Sequence, residues 1–275
     1  MRKIKTKIWV KCALIAMIGA GAASALYGDT MVATYQPAKV QTSNTANLCA
    51  GTSVCWVGEQ TFDTSSAPTA GVFPTLVSSG SVTGSISGAY TGAITIDPAN
   101  EYGGAGGTGY FATVSNNSYT LKLTTSGNIP GVNYFGLWFS ALDNGNDLKF
   151  YEKNASGVET LLYDFTPKLF SSLVGACTGG NAFCGNPTTT FSGQDSGEQF
   201  AFLNFFDTTG YFDEIVFTET TTAGFESDNH TVAYLDPPNP SGTVIGATPE
   251  PGSLVLLSTG LLALMSFKRR LASKI

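Results

Sequence analysis

The sequence predicts an all-β chain: an antiparallel β-sandwich of jelly-roll type, flanked by a removable N-terminal segment and an apolar C-terminal helix. Three observations carry that expectation. Short apolar or alternating runs recur through residues 60–236 with turn residues between them. Helical periodicity is scarce over the same span. Eighteen phenylalanines and eleven tyrosines among 275 residues supply the rings to fill two facing sheets.

In chain order, Arg2, Lys3, Lys5, Lys7 and Lys11 form a basic start, and Cys12–Ala22 are almost wholly apolar or small. Ala23-Ser24-Ala25 then offers a small-x-small cleavage site. That order predicts a signal peptide over 1–25 for the Sec export machinery, with a mature chain from Leu26. Gly19, Gly21 and the alanines leave the run too short and weakly apolar for a permanent span. Residues 26–59 read as a polar lead-in carrying a cysteine pair.

Between Ser78 and Ile96, Gly, Ser and Thr alternate with Val82, Ile86, Tyr90, Ile94 and Ile96, as in short strands with glycine kinks. Glu101–Gly109 is a flexible loop. Its Gly104-x-Gly106-x-x-Gly109 lacks the buried strand before and the helix after that a dinucleotide fingerprint needs. Thr120–Thr124 alternates as a half-buried strand. Tyr134–Leu142 is an apolar aromatic run of strand length, Asp143–Asp147 a turn, and Leu148–Glu152 a second strand. Together they predict a hairpin centred on Asn144-Gly145. Further strands are expected over 158–165, 199–206, 212–218 and 230–235, with a linker over 237–248.

The expected mature chain, 26–250, holds five lysines and all twenty acidic residues, a formal charge of −15. Such a surface repels nucleic acid and anionic lipid headgroups. It suits neutral glycans, or divalent cations bridging to an acidic polysaccharide, and solubility alone explains it equally well. Cys49, Cys55, Cys177 and Cys184 predict two disulfides in an exported chain. Three pairings are open, and proximity favours Cys49–Cys55 and Cys177–Cys184. Neither pair has Cys-x-x-Cys spacing and the chain has one histidine, so zinc is disfavoured.

At the C-terminus, Pro249-Glu250-Pro251 precedes an uncharged run, Gly252–Phe267, and then Lys268-Arg269-Arg270. The run is a short or transient transmembrane helix, and the basic residues keep its far end in the cytoplasm. The prolines hold the junction extended beside the bilayer. In order and spacing this stretch, 249–271, resembles the PEP-CTERM sorting signal that exosortases of Gram-negative bacteria recognise and remove. The resemblance implies a transient inner-membrane precursor, processing by an exosortase, and delivery to the cell surface or extracellular matrix.

The body is similar to a group of exosortase-dependent surface proteins. Tyr134, Phe135, Gly136, Trp138, Asp143 and Asn146 fit one block of that group, and Phe225, Glu226, Asp228 and Asn229 a second. The chain departs from the group at His230-Thr231 and in its cysteine-bearing 177–184 loop. The resemblance implies an extracellular β-sandwich and no particular reaction.

Candidate sites each have a plainer competitor. Asp143 and Asp147, with Asn144 and Asn146, offer oxygens for a structural Ca²⁺, yet these are ordinary turn residues. Glu226 and Asp228, with Asn229, offer a second Ca²⁺ set before the last strand. Trp56 and Trp138 are candidates to stack on a sugar ring, against the competing expectation of core packing. No Gly-x-Ser-x-Gly elbow surrounds a serine, and any triad would have to use His230. The reading is therefore a non-enzymatic structural or adhesive component associated with exopolysaccharide, with weak glycan binding at most. A glycan-active hydrolase or lyase using surface carboxylates is the alternative. His230→Ala is expected to perturb only the last strand, locally.

Overall fold

The computed structural model describes residues 30–154 and 156–247. The signal-peptide and sorting-signal residues lie outside them, as does the apolar run Gly252–Phe267. Among the described residues, no helix is long and apolar enough to cross a membrane.

The described chain forms two antiparallel sheets, with strands numbered in chain order. The larger sheet runs through Thr243–Ala247 (β15), Met31–Tyr35 (β1), Gln199–Asp207 (β12), Tyr134–Leu142 (β9), Phe225–Asp236 (β14), Val54–Gln60 (β2) and Thr75–Ser79 (β4). Tyr110–Val114 (β7) pairs with the first residues of β14, and Thr95–Pro98 (β6) pairs with β7. The smaller sheet runs through Glu159–Phe165 (β11), Asn146–Lys153 (β10), Glu214–Glu219 (β13), Asn117–Thr125 (β8), Ile86–Gly92 (β5) and Ala70–Val72 (β3). Two short helices, Thr45–Leu48 (α1) and Pro167–Val174 (α2), lie in connections. This is the sandwich the sequence predicts.

The sheets face each other across an aromatic core. Phe135 of β9 meets Phe150 of β10 at 6.1 Å and Phe217 of β13 at 6.0 Å, and Phe150 meets Phe205 of β12 at 4.7 Å. Alternation sends Phe135, Leu137 and Phe139 inward and Tyr134, Gly136, Trp138 and Ser140 to the other face of the same strand. Every residue of β9 and β12 is nonetheless buried. Their outer faces are covered as well, by the 36–50 segment and the loop after β6.

That double burial explains one correction. Tyr134–Leu142 and the following strand are not a hairpin. β9 pairs with β12 and β14, whereas β10 pairs with β11 and β13, so residues 143–145 carry the chain from one sheet to the other. A strand apolar on both faces needs neighbours on both edges and cover on both sides. β10 alternates buried and half-exposed residues and belongs in the half-solvated sheet.

The lead-in and linker also contribute strands. β1 lies between β12 and β15, which forms within the expected linker, and one compact unit spans Asp29–Thr248. The expected boundaries at 60 and 236 are thus too narrow. Both favoured disulfides form, with Cα–Cα distances of 5.5 Å for Cys49–Cys55 and 5.4 Å for Cys177–Cys184.

Two bulges set which side chains meet. In β14 the register against β9 shifts between Asp228 and Thr231, and Asn229 sits at φ 50°. Asn tolerates this left-handed conformation better than most residues. The extra residue turns Ser227 and His230, three apart, to the same inner face. A second bulge in β9 puts Ala141 at φ 50°.

Candidate functional site

The outer face of β9, β12 and β14 carries a concentration of carboxylates at one end. β9 and β12 are antiparallel, so the residue leaving β9, Asp143, lies beside those entering β12, Asp195 and Glu198. Glu226, the second residue of β14, stands directly opposite Ser140 of β9 in register and so shares its face. Glu219 ends β13 next to the same turn.

These carboxylates differ in how they are satisfied. Glu219 accepts from Asn146 Nδ2 at 2.5 Å, from Thr221 N at 2.6 Å and from Thr221 Oγ1 at 2.7 Å. Asn146 accepts from Asp143 N at 2.7 Å and donates to Gly224 O at 2.9 Å. Asn146 and Glu219 therefore buttress the crossing turn. Glu226 is 8% exposed, and its Oε2 has no hydrogen-bond partner; neither has Ser140 Oγ nor Asp195 Oδ2.

The electrostatics follow from burial and like charge. Glu226 is pushed up to about 9, first by burial and then by Asp143 and Glu198. Glu198 is pushed up to about 8 by burial, by hydrogen bonding to Asp195, and by the charge of Asp143. Asp143 and Asp195 are raised too, burial leading in both. Three of the body's five lysines are engaged elsewhere: Lys149 pairs with Asp147 and Asp164, Lys122 with Glu214, and Lys153 with Glu159. Among the described residues, no group of three or more histidine, cysteine, aspartate or glutamate side chains is placed so that it could hold a metal ion.

The structure regroups the expected Ca²⁺ ligands. Asp143 and Glu226, assigned to separate sets, come together. Asp147 leaves the group, because it lies on β10 against Lys149. Asp228 leaves it as well: its carboxylate accepts from Ala105 N at 2.8 Å and from Asn229 N at 2.7 Å. Burial raises Asp228 to about 7 against those two hydrogen bonds. Its role is to tether the Glu101–Gly109 loop, with help from Gln41, which accepts from Gly106 N at 2.7 Å. That loop is flanked by strands β6 and β7 and drapes over the sheet, which accounts for its glycines without a nucleotide. At Gly107, φ is 74° and Thr190 packs close against the Cα.

The stacking candidates are corrected. Trp56 is 2% exposed in the inter-sheet core, and Trp138 is 0% exposed beneath Val40, Ala105 and Phe200. Neither ring offers a face to a sugar in solution. His230 is also sealed in the core, where Tyr90 Oη lies 3.0 Å from Nδ1 and Ser227 Oγ 3.0 Å from Nε2. Phe217 stacks on the ring at 5.1 Å and 6°, and Phe62 meets it edge-on at 4.8 Å. Asp228 lies on the opposite face of the sheet, so no triad forms around His230.

Asp195 and Glu198 escape a sequence reading that treats each segment alone. The available signal is that acids flank two long apolar runs, one after 134–142 and one before 199–206. If those runs pair antiparallel, the acids meet.

No curated protein matches the chain, and no solved structure does. A family model described as the PEP-CTERM protein-sorting motif matches residues 247–270. The match covers Pro249-Glu250-Pro251, the apolar run and the basic tail, all beyond the described residues. The chain thus ends in the sorting signal that marks an exported, exosortase-dependent protein.

Proposed function

We propose that the body is a structural or adhesive component of the extracellular polysaccharide matrix, released to the cell surface after an exosortase removes its tail. The sorting signal over 247–270 is the observation that carries this reading. The rest of the chain is consistent with it: two disulfides, an acidic body without arginine, and a sandwich closed by its own strands suit life outside the cytoplasm. Fold alone assigns no chemistry. With Trp56 and Trp138 buried, neither is available to stack on a glycan.

The test is intact mass with fractionation, in the native host and in a strain lacking the processing enzyme. Wild-type protein is expected in the matrix fraction, without Arg270, and freed by digesting the polysaccharide. Glu250→Ala, or deletion of Lys268, Arg269 and Arg270, should hold the precursor in the inner membrane while the body still folds. Wild-type protein that keeps Arg270 and stays in the inner membrane of both strains would make the tail a plain anchor and end the proposal.

A second reading, a glycan hydrolase, is favoured by one observation: protonated carboxyls beside ionisable ones at Glu198, Glu226 and Asp143 are the groups glycoside cleavage uses. It requires release of reducing sugar from matrix polysaccharide by wild type and not by Glu226→Gln.

A further inference from the structure

We infer that a cleft lined from β2, β3 and β5 binds one neutral sugar ring, and that Gly71 keeps it open. The inference deepens the matrix reading above and rests on it for the source of the sugar. The cleft has a volume of about 140 Å³ and takes its lining from Gln60, Thr69, Gly71, Phe73 and Tyr90, among others. For scale, a cavity of about 150 Å³ holds one benzene ring. Glycine weakens a strand, and inside one it often marks the close approach of a ligand or another backbone. Gly71 stands opposite Gly88 in the β3–β5 pair, so the two share a face. The core uses the bare surface of Gly88: a Cβ there would lie 2.5 Å from Phe73 Cε2 and 2.8 Å from Leu121 Cδ1. A Cβ on Gly71 would meet no atom within 4 Å. The space that a side chain at 71 would fill is left empty.

The lining selects the ligand. Phe73 and Tyr90, 3% and 7% exposed, supply ring surface, and Pro68 adds an apolar side. Tyr90 is fixed by the hydrogen bond between its hydroxyl and His230 Nδ1 at 3.0 Å. Thr69 brings a hydroxyl to the cleft. Gln60 brings an amide whose Oε1 accepts from Phe62 N at 3.1 Å, leaving Nε2 to donate. No lining residue is charged, and no charged residue lies between Asp63 and Asp97, although the body as a whole is strongly acidic. An ionic ligand would find no counter-charge in this lining. Small-molecule sites typically combine apolar walls with a few polar groups that fix orientation. A pyranose answers each property: C–H faces for the rings of Phe73 and Tyr90, hydroxyls for Thr69 and Gln60, and no charge.

The test uses the full chain in a polyoxyethylene detergent, which carries no sugar headgroup. Glucose, galactose, mannose and N-acetylglucosamine are titrated singly, and binding is followed by saturation-transfer NMR. At least one should bind with a Kd on the order of millimolar, as a ligand of this size allows. Gly71→Leu should weaken that binding about tenfold or more yet melt at or above wild type, because it fills empty space and removes a strand glycine. Thr69→Val should weaken binding several-fold with the fold unchanged, and it carries the decision if Gly71→Leu does not fold. Val244→Thr, on the exposed edge of the large sheet, should bind like wild type. Wild type that binds none of the four sugars, or that binds phenol instead, would overturn the inference, as would Gly71→Leu and Thr69→Val proteins that bind like wild type. Protein that reaches the matrix fraction yet binds no sugar would end this inference and leave the matrix reading standing. Sugar binding by a protein that never leaves the inner membrane would support the cleft and end the matrix reading.

Discussion

Replacing His230 by alanine is expected to lower the melting temperature by on the order of 10 °C, corresponding to about 4 kcal/mol in a body of this size. The ring fills a slot between Phe62, Phe135 and Phe217, and its loss opens a cavity of aromatic size. It also strands the hydroxyls of Tyr90 and Ser227, at roughly 1–2 kcal/mol each where no other partner is near. Ser227 keeps Tyr119 at 3.1 Å, so the Tyr90 hydroxyl suffers more. The expectation of a mild, local effect is therefore replaced by a global one.

Burial lowers His230 to about 3, below the unfolded value near 6.5. The unfolded chain takes up this proton as pH falls below about 6.5 and the folded chain does not, so the histidine's contribution to stability is lost progressively down to about pH 3. The buried carboxyls act in the opposite sense: Glu226 is raised to about 9, and its burial weakens the fold as pH rises from the unfolded value toward 9. Comparing wild type with His230→Gln separates the two. Their difference in unfolding free energy should shrink by about 2 kcal/mol between pH 7 and pH 5. A difference independent of pH would mean that the ring is hydrated or already charged.

Gly136→Val is the second large effect, expected to cost about 3 kcal/mol or more and to depress melting by roughly 10 °C; Gly136→Ala should cost about 2 kcal/mol. A Cβ at 136 would strike the Tyr134 hydroxyl and lie 3.0 Å from Phe202. Tyr134 lies over this bare stretch of β9 and donates to Asn204 Oδ1 at 2.9 Å. Asn204 passes the chain on to Thr34 Oγ1 at 3.1 Å, and Thr34 donates to Ser241 O at 2.5 Å. One added side chain thus disturbs a polar row that crosses β9, β12 and β1. Tyr134→Phe keeps the ring and should cost only about 1–2 kcal/mol. Were Gly136→Ala to melt within a degree of wild type, the ring would not be packed where the structure puts it.

The strands most legible in the sequence are those whose pattern is local. Tyr134–Leu142 and Gln199–Asp207 announce themselves by unbroken apolar runs, and Asn117–Thr125 by alternation around Leu121 and Leu123. What failed was connection. The Asp143–Asp147 stretch has the composition of a hairpin turn, and only the cover on both faces of β9 shows that it crosses between sheets. β1 was hidden because five residues, MVATY, sit in a polar lead-in and earn their place through partners far along the chain. The helix Pro167–Val174 was missed because one buried ring, Phe170, anchors it and Pro167 opens it, too little for a periodic signal. The acidic site was half legible. Asp143 and Glu226 were visible as oxygen donors, but their meeting with Asp195 and Glu198 depends on a strand register that no single segment encodes.

The place of β1 in the large sheet bears on when the protein folds. Tyr35 lies against Leu203 on one side and Thr243 on the other. A chain threaded across a membrane from its N-terminus delivers β1 first and leaves both of its edges open until nearly all of the body has followed. Pairings so distant in sequence form late and slowly, and exposed strand edges in the meantime invite aggregation. Pulse-labelled precursor should accordingly stay protease-sensitive until Thr243–Ala247 has emerged; early protection would show that a partial sheet closes first. Pro249-Glu250-Pro251 follows β15 with a single residue between. In the sequence, the sorting signal thus comes directly after the last strand of the large sheet, so β15 and the signal are delivered almost together.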